Sequence, residues 1–124
     1  MRTAGELIVK AALMNKPDVE KDLPALVPKD LPVVDRTPAR LNLKFLFFRP
    51  GAYASSVECP IFFAICKKDS VAPPDTTLSY AKMAPKGVIK EYDASHFEIY
   101  VGEPFKQAIH DYKAFLQEHF PIKP

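Results

Sequence analysis

The chain has no tryptophan, four glycines, two cysteines and no excess of either charge, and each shortage removes a class of protein. Seventeen basic against fifteen acidic residues leave a net charge of +2 without a run of like charge. Composition therefore writes in neither a nucleic-acid surface nor a membrane-surface patch. The apolar stretches fall far short of the ~18 residues that a bilayer-spanning helix needs. At the start, Met1-Arg2-Thr3-Ala4-Gly5-Glu6 puts an acid where a signal peptide extends its apolar run, and Lys10 interrupts the next apolar residues. The expectation is a cytoplasmic chain with no membrane span. Cys59 and Cys66 lack metal-ligand spacing, and seven residues of extended chain hold them about 23 Å apart, too far for a bridge. The glycines are Gly5, Gly51, Gly87 and Gly102, no two of them four apart, so the Gly-x-Ser-x-Gly turn that presents a nucleophilic serine is missing.

What is present is ordinary in amount and uneven in placement. The chain has 124 residues, 48% apolar and 26% charged, the size of one domain and incompatible with disorder. Thirteen prolines are about twice the usual ~5% share, and five of them fall between residues 17 and 38. Leu7, Ile8, Ala11 and Ala12 predict a short helix over 3–14. Pro17 with Asp18 and Glu20 predicts a helix of one or two turns, and the later prolines make 17–36 a surface excursion of broken turns. Thr37-Pro38 predicts a helix through Leu41, Phe45 and Phe48, ended by Arg49-Pro50-Gly51.

From residue 57 the pattern changes. Pro60-Ile61-Phe62-Phe63-Ala64-Ile65-Cys66 is a continuous apolar run of β-formers, the pattern of a strand covered on both faces in a parallel sheet. Pro74-Asp75 opens a helix that Pro85 stops, Gly87–Tyr92 reads as a second strand, and Glu103-Pro104 starts a helix with Phe105, Ala108, Ile109, Tyr112, Phe115, Leu116 and Phe120 on one stripe. His110 and His119 fall on its wet side. The fold class is α/β: strand, helix, strand, helix, with two parallel strands preceded by a helical segment.

In such sheets working residues lie just beyond the carboxyl ends of the strands. Asp69 follows the first strand by three residues, and His96 follows the second by four. Neighbouring strands are only ~4.8 Å apart, which would bring both side chains to one rim. A carboxylate on one imidazole nitrogen fixes the tautomer and leaves the other nitrogen as a general base. The alternative is a loop aspartate and a loop histidine that never meet. No serine has the setting of a nucleophile: Ser55 and Ser56 precede the first strand, Ser79 is within a helix, and Ser70 and Ser95 adjoin Asp69 and His96. Cys66 is the best thiol, more simply a small buried hydrophobe. A metal site from His96, Asp93 and Glu98 has no distinctive spacing.

Two stretches carry a resemblance. Cys59–Pro73 resembles the late strand and acid loop of the α/β-hydrolase superfamily. Ser95-His96-Phe97-Glu98-Ile99-Tyr100-Val101-Gly102-Glu103-Pro104-Phe105 resembles the histidine loop and last helix of its serine-aminopeptidase-like branch, where His-Phe-(acid)-Ile-Tyr-x-Gly-Glu-Pro-Phe is distinctive. Ala12-Leu13-Met14-Asn15 with Pro17-Asp18, and Arg49-Pro50-Gly51, also look like that branch. The resemblance implies that residues 1–50 are the tail of a helical cap with its return helix and that 51–124 are the C-terminal part of the hydrolase core. It implies Asp69 as triad acid, His96 as general base, no cofactor and no metal. It also implies a small ester, amide or thioester substrate in the complete family, with nucleophile, oxyanion-hole amides and earlier strands upstream of Met1. By itself such a chain would be catalytically incomplete, with a strand edge open to self-association or to another chain, and a non-catalytic pairing module is the alternative reading. Cys66 and Ser95 stand where many relatives have glycine. If position 95 required φ > 0, Ser95 would strain the loop that holds His96.

Overall fold

The computed structural model describes residues 16–31 and 47–121. The helix expected over 3–14, and all but the last two residues of the one expected over 37–48, lie outside the described residues. Within them the protein is mixed α/β. Helix α1 (Pro17–Asp22) opens on proline and runs into a 3₁₀ turn at Leu23–Ala25. A further 3₁₀ stretch, Pro50–Ser56, occupies the region read from sequence only as a helix stop. Then come β1 (Ile61–Cys66), α2 (Pro74–Ala81), β2 (Gly87–Tyr92) and α3 (Gly102–His119).

The two strands pair in parallel, with Ile61 opposite Gly87 and Cys66 opposite Tyr92. Side chains alternate along β1. Phe62 meets the rings of Tyr112 and Phe115 on α3, at centroid separations of 5.2 and 5.4 Å. Phe63, its neighbour, lies on the other face with α2, where a side chain at Gly87 would crowd Phe63, Ala84 and the Ala81 carbonyl at 3.0–3.2 Å. The apolar run of β1 thus receives a helix on each face, which is why it shows no alternation.

Cover is incomplete. Ile65 and Cys66 are buried, whereas Ile61 to Ala64 are only half-buried. On α3 only Ala108 is buried, and Phe105, Leu116 and Phe120 of its apolar stripe stand exposed. His119 departs from the solvated place expected for it: its ring packs against Phe115 at 4.5 Å and its Nε2 is buried without a partner. The core that does form sits at the carboxyl end of the sheet, where Cys66, Tyr92, Ala94, Ile99 and Ala108 pack together. Tyr92 reaches through it to donate to Asp111 at 3.0 Å, and burial followed by that carboxylate pushes its phenol well above the ordinary range. Among the described residues no helix is long and apolar enough to cross a membrane.

Candidate functional site

The site begins where the ladder would normally end. Beyond the last strand pair, Lys67 N–H donates to the Tyr92 carbonyl at 2.9 Å and Lys68 N–H to the Ala94 carbonyl at 3.1 Å. These bonds carry the parallel pairing past both strands, so the two loops leave the sheet side by side. Asp69 then turns back, its N–H bonding the Cys66 carbonyl at 3.2 Å.

The structure brings Asp69 and His96 together. Asp69 Oδ2 lies 2.8 Å from His96 Nδ1. The other carboxylate oxygen, Oδ1, accepts the N–H groups of Val71 and Ala72 at 2.8 and 2.7 Å, the local turn by which aspartate orders its own loop. Both oxygens are therefore held, and the carboxylate has one orientation toward the ring. With Nδ1 donating to it, Nε2 is the basic nitrogen of the neutral imidazole. The Asp69 side chain is 10% exposed and that of His96 34%, an acid shielded from water behind a ring that is not. His96, Asp69, Cys66, Ile99, Tyr100 and Tyr112 line a cavity of about 250 Å³. Chemically, this arrangement can take a proton at His96 and stabilise the resulting imidazolium against Asp69.

The other candidates are placed differently. Cys66 is buried in the core, and burial first, then the Asp69 and Glu98 charges, push its thiol up to about 11, which suppresses the thiolate. Cys59 is a free, exposed thiol. Asp93 pairs with Lys68 at 3.0 Å, and Glu98 accepts from the Ser95 N–H at 2.9 Å and from Lys21 at 3.3 Å. The Ser95 N–H first, then Lys21, hold the Glu98 carboxyl below its ordinary value. Among the described residues no three histidine, cysteine or acidic groups converge as a metal site.

Ser95 is accommodated without strain. Among the described residues no residue other than glycine has a positive φ. The Ser95 hydroxyl donates to Asp22 at 2.6 Å and accepts the Glu98 N–H at 3.3 Å, forming a small turn that delivers His96. Two acids to which the sequence reading gives no place in the site complete this support. Asp22 is one, and Asp18 is the other: its carboxylate is buried, at 8% exposure, against a stretch expected to be surface. Asp18 Oδ2 accepts the backbone N–H of Ser70 at 2.9 Å and that of His96 at 3.3 Å. Desolvation works to raise its carboxyl, but the bonds from Ser70 and His96 outweigh it and leave the group below its ordinary value. Partners of this kind are backbone N–H groups, which every residue but proline supplies, so no side-chain motif announces them.

The chain is 40% identical over 112 residues, 90% of its length, to the quorum-quenching protein AidA of Acinetobacter baumannii (strain MDR-ZJ06), of which the match covers 37%. It is 28% identical over 80 residues, 62% of its length, to an uncharacterised 31.7 kDa protein of the traX-finO intergenic region of Escherichia coli, covering 28% of that protein. The chain thus spans roughly a third of the curated relatives it matches. No family model matches it. No solved structure matches it.

Proposed function

We propose that the chain is the acid-and-base portion of a serine hydrolase of α/β-hydrolase type, acting on an ester, amide or thioester bond. The observation that carries this reading is the 2.8 Å contact between Asp69 Oδ2 and His96 Nδ1 at the carboxyl rim of a parallel strand pair. In the proposed reaction His96 Nε2 removes the proton of an attacking hydroxyl, Asp69 stabilises the imidazolium, and His96 returns the proton to the leaving group. The sequence holds no Gly-x-Ser-x-Gly. The attacking serine and the oxyanion donors are therefore assigned to polypeptide beyond this sequence, a reading favoured by the span of only 37% of the Acinetobacter relative. That relative's name describes the quenching of quorum signalling, and hydrolysis of a signal's acyl bond is a chemistry compatible with it.

The test is a graft. This chain replaces the matched third of the Acinetobacter relative, and the chimera is assayed with a p-nitrophenyl ester and a fluorophosphonate probe. The expected result is labelling of a serine contributed by the relative, abolished by His96→Ala and slowed about 10³–10⁴-fold by Asp69→Asn. A folded chimera that the probe leaves unlabelled, or labels equally without His96, overturns the proposal.

A second reading, a module that pairs with another chain, is favoured by one observation. Within the described residues β1 has β2 as its single partner, and Ile61 to Ala64 are half-buried. A strand edge without a partner is a template for pairing.

A further inference from the structure

We propose that Asp18 is a positioning residue that sets the Asp69–His96 geometry by fastening both loops through one carboxylate oxygen. The inference rests on the hydrolase reading for its significance, and on the contacts of that oxygen for its substance.

Asp18 lies 52 residues before Ser70 and 78 before His96, on a helix that belongs to neither strand. A single oxygen, Oδ2, accepts the N–H of the residue that follows Asp69 and the N–H of His96 itself. The two functional side chains thus emerge from backbone segments tied to a common point. The ladder bonds at Lys67 and Lys68, with the exposed Lys68–Asp93 ion pair, fix the loops at their base, and beyond them the direct hydrogen bond between the two segments among the described residues is that of Asp69 with His96. Asp18 supplies the second tie, so that the imidazole and carboxylate do not have to hold each other in place unaided. Charge-assisted bonds to backbone amides are shorter and stronger than neutral ones, which suits a carboxylate to this task. Burial of the group adds directional force, since its remaining alternatives to these two amides are few.

Asp22, one helical turn on, bonds the Ser95 hydroxyl at 2.6 Å. Helix α1 therefore grips the histidine loop through Asp18 and Asp22, with the exposed Lys21–Glu98 pair beside them, and the acid loop through Asp18.

The test is nitrogen-resolved NMR of the uniformly nitrogen-labelled full chain. His96 is identified by the signal lost in His96→Ala, and backbone amides of β1 and β2 report the fold. Wild type is expected to show a downfield Nδ1–H proton that exchanges slowly with water. Its absence in the folded wild type would sink the underlying site reading rather than the role of Asp18. With the proton present, Asp18→Ala is expected to abolish it while the strand amides stay in place. Asp18→Asn keeps the shape and a neutral acceptor, and carries the test if the alanine variant unfolds. It is expected to speed exchange of the ring proton about five- to tenfold, the difference between a charged and a neutral acceptor. Exchange at the wild-type rate in folded Asp18→Asn, or an unchanged ring proton in folded Asp18→Ala, overturns the proposal.

Discussion

Ser95 and Asp22 meet hydroxyl to carboxylate at 2.6 Å, across 73 residues of sequence, immediately before His96. A glycine at position 95 would lose that bond and leave Asp22, whose side chain is 11% exposed, without this donor. Removing one partner from a buried polar pair costs about 1–3 kcal/mol. Ser95→Gly and Ser95→Ala are both expected to lower stability by that amount in urea titration. Stabilisation by glycine would mean that Ser95 is strained after all.

Acid should loosen the same region. The native Asp18 carboxyl lies below its ordinary value, because the Ser70 and His96 amides overcome its desolvation. A carboxylate held low contributes stability above the unfolded value of about 3.9 and loses it as pH falls through the lower native value. Unfolding midpoints measured from pH 6 downward should decline below about pH 4, and less steeply in Asp18→Asn. Equal slopes in both proteins would contradict the assignment.

The two thiols should differ sharply. Burial raises Cys66 from near 9 to about 11, a shift that leaves about a hundredfold less thiolate at neutral pH. Cys59 is exposed. Iodoacetamide should modify Cys59 first, with Cys66 at least about a hundredfold slower until the chain unfolds. Rapid alkylation of Cys66 in the folded chain would reopen it as a nucleophile.

Sequence is informative here where residue type and spacing carry the information. Pro60–Cys66 and Gly87–Tyr92 have the β-former runs of adjacent strands, and parallel pairing sends both carboxyl ends to one rim. Asp69 and His96 are locatable because each follows its strand by a few residues. Gly102 belongs to the histidine-loop phrase, and its φ of +61° supplies the physical reason for glycine there. Asp18 and Asp22 lie in a proline-rich stretch whose pattern predicts the short helix that carries them but gives neither acid a partner. Their partners are two amides and a hydroxyl distant in sequence, which periodicity does not encode. The extent of cover on β1 is equally illegible: an apolar run states what a strand can bury, not how much of it this polypeptide covers.

Two glycines offer backbone tests. At Gly102, φ of +61° makes alanine strained, for a loss of about 1 kcal/mol. At Gly51 an added Cβ would fall 2.5 Å from the Tyr80 ring, forcing the Pro50–Ser56 turn away from α2. Gly51→Ala should therefore cost more, about 1–3 kcal/mol, by thermal or urea unfolding. The reverse order would place the tighter constraint at the wrong position.

The half-covered strand predicts association. Sedimentation velocity across a range of concentrations should show the chain self-associating, driven by the side of β1 that has no strand partner among the described residues and by the exposed Phe105, Leu116 and Phe120. A monomer at every concentration with a sharp, reversible melting transition would contradict this.

The most direct measurement is the long-range nitrogen–proton coupling pattern of the His96 ring in the wild type and in Asp69→Ala, recorded at a pH where the imidazole is neutral. A carboxylate 2.8 Å from Nδ1 predicts the proton on Nδ1 and a bare Nε2 in the wild type, reverting to a mixture of tautomers once the carboxylate is gone. The same mixture in both proteins would contradict the account.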